Sequence, residues 1–294
     1  MSKTAFIFPG QGAQYCGMGQ DFYENTKTGK ELFDMASELL GFSVPELCFE
    51  KNDRLDITEY TQAAMVTTSI AMMRVLEEAK GVKPDVAAGL SLGEYPALAA
   101  AGVMSDADAI RTVRQRGILM QEAVPVGLGA MAAILALDAS KIEEVISAID
   151  GVSIANYNCP GQIVISGTTQ GIATACEKLK AAGAKRALPL KVGGAFHSPL
   201  MEPARKELAD AIMNTHFSQP SCPVYQNVNA QPVSHPEKIK KNLVAQLTAS
   251  VRWTQTVQNM LADGASSFLE IGPGNVLQGL IKKVSTEVET AGMQ

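Results

Sequence analysis

Ser91 is the residue of this chain best placed to act as a nucleophile, because it lies at the centre of Gly89-Leu90-Ser91-Leu92-Gly93. The pattern Gly-x-Ser-x-Gly is typical of a serine carried on a tight turn between a strand and a helix, where glycines avoid side-chain collisions. Residues 85–90 form an apolar run, and residues 92–101 are alanine-rich and end at Gly102. The sequence therefore predicts a strand, a sharp turn and a helix that present the Ser91 hydroxyl to a substrate carbonyl.

His197 is the best candidate for the base that a serine hydroxyl needs. It follows Gly193-Gly194-Ala195-Phe196 and precedes Ser198-Pro199, a pair that predicts the start of a helix. The other histidines are interpreted as surface residues because they stand among polar or proline residues near predicted helix ends. They are His216 and His235.

An acid that could complete a catalytic triad is not evident in the sequence. The candidates are Asp106, Asp108, Asp138 and Asp150. All of them fall in predicted helix caps or in a separate small lobe described below. Since the imidazole needs only an acceptor to orient it, a backbone carbonyl can replace the acid. We therefore expect a Ser-His dyad.

Composition places the chain among ordinary globular proteins. It has 294 residues, of which 46% are hydrophobic and 19% are charged, and its formal net charge is −5. This balance gives no electrostatic reason to expect a nucleic-acid partner. No apolar run reaches the length of about 20 residues that a membrane span needs. The five cysteines are odd in number and widely spaced, which favours reduced cysteines in a cytoplasmic protein without a disulfide framework or a metal site.

The order of predicted elements favours an α/β fold. Residues 4–8 predict a buried first strand, and the following glycine loop at residues 9–14 is expected beside Ser91 because ligands bind at the carboxyl ends of parallel strands. A phosphate-binding loop is the rival interpretation, but the Lys-Ser/Thr of a P-loop is missing. Helical periodicity covers residues 29–40 and 58–79, and a capping box at Ser105 opens a helix that runs to about residue 124.

That last helix carries three arginines whose orientation is open. They are Arg111, Arg114 and Arg116. Helical spacing alone does not say which of them turns inward.

Residues 129–192 predict a lobe of their own. Strand patterns at 129–137, 152–158, 162–167 and 184–192 alternate with helical patterns at 140–149 and 169–183, which is the β-α-β-β-α-β order of a ferredoxin-like unit. Residues 266–271 then predict a final buried strand, and residues 275–284 a last helix. Two lobes would form a cleft between them, which is a usual place for a ligand.

In addition, the sequence resembles malonyl-CoA:acyl carrier protein transacylases over nearly its full length. The motifs that carry the resemblance are Phe8-Pro9-Gly10-Gln11-Gly12-Ala13-Gln14, residues 89–94, Arg116-Gly117 followed by Met120-Gln121, Gly194-Ala195-Phe196-His197-Ser198, Gln246 before Val251-Arg252-Trp253, and residues 270–274. The resemblance implies an α/β-hydrolase-like subdomain at residues 1–127 and 193–294, with a ferredoxin-like subdomain inserted at residues 128–192.

The resemblance also implies a role for each site residue. Ser91 would attack the malonyl thioester with His197 as base, and the phosphopantetheine thiol of the carrier protein would then take the malonyl group. The backbone N–H groups of Gln11 and Leu92 would form the oxyanion hole. Arg116 would bind the free malonyl carboxylate in a bidentate pair.

The remaining implications concern the histidine and the partners. The main-chain carbonyl of Gln246 would orient His197, and Ala195-Phe196-His197 is similar to the malonyl-selecting form of the family. The partners would be malonyl-CoA and acyl carrier protein, with no metal and no cofactor beyond the substrate. We expect a monomer that binds neither nucleic acid nor membranes.

Two departures from the family pattern stand near the site. Leu90 occupies the position before the nucleophile, where the family usually has histidine, and the usual Thr-Gln-Pro-Ala appears as Thr61-Gln62-Ala63-Ala64. Two rival functions stay open at this point. One is a serine hydrolase or thioesterase in which water resolves the acyl-enzyme. The other is an inactive module that docks a carrier protein.

Overall fold

The computed structural model describes residues 3–125 and 127–293. Its strands are β1 (Lys3–Phe8), β2 (Val86–Gly89), β3 (Gly129–Leu135), β4 (Val152–Cys159), β5 (Gln162–Thr168), β6 (Arg186–Pro189), β7 (Val224–Tyr225), β8 (Pro232–Val233), β9 (Ala265–Ile271) and β10 (Glu289–Met293). Its α-helices are α1 (Gln20–Asn25), α2 (Lys27–Leu40), α3 (Val44–Phe49), α4 (Thr58–Lys80), α5 (Glu94–Ala100), α6 (Asp106–Glu122), α7 (Ala139–Ser147), α8 (Thr169–Ala181), α9 (Glu202–Asn214), α10 (Pro236–Ala245), α11 (Trp253–Ala262) and α12 (Val276–Val284). Short 3₁₀ turns span Ser91–Gly93 and Pro199–Met201.

The large lobe is built on a six-stranded sheet in the order β10-β9-β1-β2-β7-β8. All neighbouring pairs are parallel except β7 and β8, which pair antiparallel. In the pairing of β1 with β2, Phe8 lies opposite Gly89, so both strands end at the same level. The glycine loop after β1 and the Ser91 turn after β2 therefore emerge side by side, as the sequence predicts.

Both faces of the large sheet are covered by helices. On one face a main core forms around α4, which is buried along most of its length and packs against α2 and α6. On the other face a second core includes Trp253 of α11 and Leu277 of α12. Since parallel strands are buried on both sides, their sequences read as continuous apolar runs, and β2 is buried at every position.

The small lobe is a four-stranded antiparallel sheet in the order β4-β5-β3-β6. Counted within the lobe, the order is 2-3-1-4, the ferredoxin-like arrangement that the β-α-β-β-α-β pattern predicts. One sheet face packs with α7 and α8 into a core of its own. The opposite face contributes residues such as Met131 and Val164 to the main core of the large lobe. The fold is thus the predicted α/β-hydrolase-like lobe with a ferredoxin-like insertion.

Several elements differ from the sequence prediction. The chain does not end with α12, because β10 follows and extends the sheet beside β9. Neither β7 nor β8 was predicted, and β6 covers residues 186–189 where residues 184–192 were expected. These strands are only two to five residues long or largely exposed, so they carry little apolar periodicity. The predicted lobe boundaries also include Met1, Ser2, Val126 and Gln294, which lie outside the described residues.

Candidate active site

The turn that carries Ser91 requires its two glycines. A Cβ at Gly89 would lie 1.9 Å from the carbonyl oxygen of Gly93, and a Cβ at Gly93 would lie 2.2 Å from that of Phe8. Ser91 itself has a positive φ of 55°, which a side chain rarely adopts. The strain is typical of a nucleophile elbow, where the serine is raised above its neighbours. The residues after Ser91 first form a 3₁₀ turn and only then the helix α5.

His197 lies within hydrogen-bond reach of the nucleophile. Its Nε2 is 2.7 Å from the Ser91 Oγ, and its Nδ1 is 2.8 Å from the main-chain oxygen of Gln246. A carbonyl oxygen can only accept, so Nδ1 carries the proton and Nε2 is left as an acceptor for the serine hydroxyl. The structure therefore brings together a serine, a histidine and an orienting carbonyl. Ser198 caps the 3₁₀ turn that follows, with its Oγ accepting from Leu200.

The imidazole of His197 is neutral at physiological pH. The side chain is buried, and this burial together with the positive charge of Arg116 lowers its pKa from 6.5 to about 4. Hydrogen bonds to backbone groups of Gln246 and Ala249 act in the opposite direction and are weaker. A neutral imidazole whose free nitrogen faces a hydroxyl is the protonation state that a general base requires.

Of the three arginines on α6, the one that turns inward is Arg116. Its Nη1 donates to Gln62 Oε1 at 2.6 Å, and its Nη2 donates to both Ser91 Oγ and Gln246 Oε1 at 3.0 Å. The side chain is 1% exposed. Burial lowers its pKa, but a guanidinium starts from so high a value that it stays charged. Within residues 3–125 and 127–293, no carboxylate forms a salt bridge with it.

Gln246 contacts the site through its side chain as well as its carbonyl. Its Oε1 accepts from Arg116, while its Nε2 donates to the main-chain oxygen of Ser91 at 3.0 Å and to Glu94 Oε2 at 2.9 Å. This one residue therefore touches the nucleophile and the arginine and holds the histidine. The family resemblance implies only the carbonyl contact, so the side-chain contacts are an addition that the structure makes.

Three further residues of the site were not assigned a role from the sequence. Gln62 lies on α4 and holds Arg116, while Glu94 and Asn227 lie behind the Ser91 turn. A weak signal existed for Glu94, since it is the one charged residue in the apolar helix α5. Burial raises the pKa of Glu94, and N–H donors around its carboxylate oppose that shift.

Gln11 and Leu92, whose backbone N–H groups are the expected oxyanion donors, both lie in the cleft lining with Ser91. Gln11 belongs to the loop after β1, and its side chain donates to Thr58 Oγ1 at 3.2 Å. Leu92 is the second residue of the 3₁₀ turn, where an N–H group has no acceptor inside the helix. Both residues line the cleft that holds Ser91. The structure thus places the two backbone segments next to the nucleophile.

The cleft itself lies between the two lobes and has a volume of about 260 Å³. Its large-lobe wall includes Leu90, Phe196 and Leu280, and its small-lobe wall includes Met131 and Asn156. Leu90, which stands where the family usually has histidine, is partly buried and packs toward Gly10. The site therefore has an apolar side chain next to the nucleophile, and the turn geometry is kept.

Other expectations from the sequence concern residues outside the cleft. His216 and His235 are exposed, and the helix α6 begins at the Ser105 cap as predicted. The helix α10 begins directly after His235, whose side chain does not cap it. All five cysteines are free. In the part of the chain that the structure describes, no His, Cys, Asp and Glu cluster could hold a metal ion, and none of the helices could cross a membrane.

A serine on a strained turn, a histidine within hydrogen-bond reach of it and a buried arginine, in a cleft between these two lobes, form an arrangement typical of a serine-dependent acyl-transferring enzyme. The chain matches the acyl transferase domain family over residues 5–293. It belongs to that family.

Curated relatives and solved structures agree with this assignment over the whole chain. The malonyl CoA-acyl carrier protein transacylase of Bacillus subtilis (strain 168) is 47% identical, with 99% of this chain and 93% of that protein covered. The crystal structure of an acyl carrier protein S-malonyltransferase from Vibrio cholerae superposes with a TM-score of 0.97 at 42% identity, covering 100% of this chain and 97% of the other.

A second solved structure is a malonyl-transacylase in complex with its type II polyketide synthase acyl-carrier protein. It superposes with a TM-score of 0.96 at 42% identity, covering 99% of this chain and 96% of the other.

Proposed function

We propose that this chain transfers a malonyl group from malonyl-CoA to the phosphopantetheine thiol of acyl carrier protein, through a malonyl ester on Ser91. The observation that carries the proposal is the buried guanidinium of Arg116, 3.0 Å from the Ser91 Oγ and without a salt bridge among the described residues. The buried carboxylate of Glu94 attracts this guanidinium but is separated from it by Gln246, which is bonded to both. A substrate that brings a carboxylate into contact with the guanidinium supplies the direct ion pair that it lacks among the described residues.

In the first half-reaction, the Ser91 Oγ attacks the thioester carbonyl carbon and His197 Nε2 takes the hydroxyl proton. The 2.7 Å separation of these atoms and the neutral state of the imidazole suit this transfer. The imidazolium that forms donates from Nδ1 to the Gln246 oxygen. Collapse of the tetrahedral intermediate breaks the C–S bond, and coenzyme A leaves as a thiol with the proton from His197.

The negative oxygen of the tetrahedral intermediate needs fixed donors. We assign this role to the backbone N–H groups of Gln11 and Leu92. Both groups belong to main-chain segments anchored by the parallel pairing of β1 and β2, so they need no reorganisation when charge develops. The hydrogen bond from Gln11 Nε2 to Thr58 supports the position of its loop.

Arg116 is assigned to the malonyl carboxylate. Its bonds to Gln62 and Gln246 fix the plane of the guanidinium, and its third bond goes to the Ser91 Oγ. The Nη2–H group that donates to the Ser91 Oγ is released when this oxygen becomes part of the malonyl ester. A fixed planar guanidinium is well suited to a bidentate carboxylate pair, which favours malonyl over acetyl groups.

In the second half-reaction, the phosphopantetheine thiol attacks the ester carbonyl and His197 takes the thiol proton. The Ser91 Oγ then leaves and recovers that proton, which regenerates the free enzyme. The carrier protein is supported as the acceptor by the solved complex of a similar malonyl-transacylase with its acyl-carrier protein. Acid–base and covalent catalysis by these side chains account for the chemistry, and so we propose no cofactor beyond the substrate.

Hydrolysis is the alternative fate of the acyl-enzyme, and the transacylase names of the relatives favour transfer over it. The contact between Ser91 and His197 argues against an inactive docking module. Incubation with malonyl-, methylmalonyl- and acetyl-CoA, followed by intact-mass measurement, tests the proposal. We expect a malonyl adduct that is absent in Ser91→Ala and that moves to added carrier protein. Loss of the adduct to water with the carrier protein unmodified would instead support a hydrolase.

We also propose that the lobe boundaries lie at residues 127/128 and 192/193. The large-lobe strands β1, β2 and β7–β10 fall outside this interval and the small-lobe strands β3–β6 fall inside it, which supports that division. A cytoplasmic location fits the free cysteines, and the monomeric state stays a prediction.

A further inference from the structure

Glu94 is a buried carboxylate directly behind the nucleophile. It lies three residues after Ser91, begins the otherwise apolar helix α5, and is 0% exposed. Removing a carboxylate from water is unfavourable unless its oxygens accept hydrogen bonds. A residue that contributed only to packing would not need this charge.

The Glu94 carboxylate accepts hydrogen bonds from three neighbours. Its Oε1 accepts from Gln226 Nε2 at 2.8 Å, and its Oε2 accepts from the Asn227 backbone N–H at 3.0 Å and from Gln246 Nε2 at 2.9 Å. Every partner donates, which is the pattern that an ionised carboxylate requires. The charge is therefore compensated by oriented N–H groups, two of which belong to residues that contact the Ser91 turn.

Asn227 connects this carboxylate to the backbone of the Ser91 turn. Its Oδ1 accepts from the Ser91 N–H at 2.7 Å, and its Nδ2 donates to the Gly89 carbonyl at 2.7 Å. The side chain thus spans the strained residue, whose φ is 55°. These two hydrogen bonds of the Asn227 side chain clamp the Ser91 turn. Since the Asn227 backbone N–H is itself bonded to Glu94, the carboxylate anchors this clamp.

Gln246 connects the same carboxylate to Arg116. The amide nitrogen of Gln246 faces Glu94 and its amide oxygen faces the guanidinium. If this amide were rotated by 180°, its oxygen would face the Glu94 carboxylate and its NH₂ group would face the N–H groups of Arg116. Both contacts would be repulsive. The charge of Glu94 therefore selects the orientation in which Gln246 holds Arg116 beside the Ser91 Oγ.

We infer that Glu94 is a positioning residue for acyl transfer, whose carboxylate holds Asn227 and Gln246 and, through them, the Ser91 turn and Arg116. The inference rests on the proposed function, because it assumes that Ser91 is acylated. Glu94 does not touch the reacting atoms. Its effect is to keep the serine and the arginine in one fixed geometry.

Single-turnover acylation of the full chain by saturating malonyl-CoA, followed by intact mass, tests this inference with Glu94→Gln. We expect the rate constant to fall about tenfold to hundredfold, since a misplacement of about 1 Å has such an effect on a positioned reaction. The final amplitude should stay near one adduct per folded chain. A purely structural role predicts the reverse, namely a lower amplitude with an unchanged rate constant, and this result would overturn the inference.

Glu270→Gln is the matched control. Glu270 is also 0% exposed, but its carboxylate accepts from the backbone N–H groups of Leu277 and Gln278 at the start of α12. We expect its rate constant to stay within about threefold of the original chain, because the residue is not bonded to the Ser91 turn. An equal fall in both variants would show that any buried carboxylate matters, and would also overturn the inference.

Asn227→Ala provides a second route if Glu94→Gln does not fold. It removes the clamp on the turn and leaves the carboxylate in place, so its rate constant should fall in the same range with full amplitude. A rate constant within about threefold of the original chain would contradict the inference. If Glu94→Gln and Asn227→Ala act through the same contacts, the fall in rate constant of the double variant should be smaller than the product of the two single falls. Failure of the original chain to form any adduct would refute the proposed function instead.

Discussion

Two of the three arginines of helix α6, Arg114 and Arg116, stand two positions apart in opposite surroundings. Arg114 Nη2 is 2.8 Å from Glu59 Oε2, and its guanidinium stacks over the rings of Phe42 and Tyr60. Arg116 lies about 200° further around the helix and is almost completely buried beside Ser91. Arg114 is thus paired with a carboxylate of the protein itself. Arg116 lies 5.8 Å from the centre of the Tyr95 ring and is held by amide oxygens and a hydroxyl, without a salt bridge to any described carboxylate.

From this difference we expect Arg114 to contribute to stability and Arg116 to contribute to substrate binding. An arginine whose charge is already paired with a carboxylate and stacked on aromatic rings has a weaker attraction for a further anion. A buried arginine held by neutral groups keeps most of its attraction for an anion. Three predictions test this contrast, from the largest expected effect to the smallest.

The largest effect is expected for Arg116→Ala on malonyl transfer. The malonyl carboxylate loses its buried partner, which should lower kcat/KM for malonyl-CoA roughly 100-fold to 1,000-fold. Transfer from acetyl-CoA should change far less, because the acetyl group carries no carboxylate. Steady-state rates with both donors and a carrier protein measure the ratio. Equal losses for the two donors would refute the role of Arg116.

An intermediate effect is expected on the pH profile. His197 must be neutral to act as a base, so the acid limb of acylation should lie near its pKa of about 4. Arg116→Ala removes one of the two influences that lower this pKa, and the limb should move toward neutral pH. An acetyl thioester of pantetheine is the suitable donor because it has no group that titrates in this range. An unchanged limb would contradict the electrostatic coupling of the two residues.

Folding must be followed in the same pH series, because the same group affects stability. Between pH 6.5 and 4 the unfolded chain binds a proton at His197 that the folded chain does not. The contribution of this group to the free energy of unfolding therefore decreases as the pH falls, by on the order of 3 kcal/mol over the whole interval. Circular dichroism at each pH separates loss of structure from loss of the base.

The smallest effect on catalysis is expected for Arg114→Ala. Loss of the Glu59 ion pair and of the aromatic contacts should lower the free energy of unfolding by about 1 to 2 kcal/mol, since the side chain is largely buried. The preference for malonyl over acetyl should be unchanged. Urea denaturation and the two-donor assay measure the two properties. A loss of malonyl preference here would mean that the two sides of α6 are not separate in function.

The small lobe shows how far local sequence patterns can predict a fold. Its strands alternate or end at clear turns, and the predicted order of elements agrees with the structure. In the large lobe β7 has two residues and β10 is an edge strand without a buried face. Such segments become strands because a neighbouring strand supplies hydrogen bonds. The periodicity of the segment's own sequence does not indicate that this neighbour will be there.

The site residues also fall into those that a local pattern predicts and those that depend on contacts between distant segments. Ser91 was predicted from two glycines within two residues, because the close approach of the Gly89 and Gly93 backbones is a local requirement. The contacts of Asn227 and Gln246 with the Ser91 turn join residues more than 130 positions apart. Glu94 and Gln62 could be seen in the sequence, but their roles could not, since each depends on a partner from a distant helix or loop.

The sequence by itself determined the strand-turn-helix that carries Ser91 and the ferredoxin-like insertion. These features depend on backbone sterics and on periodicities that operate over a few neighbouring positions. The resemblance of the sequence to a family also predicted a role for each of the main site residues, and these roles stay predictions. Only the tertiary structure decided that Glu94 lies behind Ser91 and that the Gln246 side chain links it to Arg116. Burial and electrostatic balance are properties of the packed surroundings, and those surroundings are assembled from segments that are far apart in the chain.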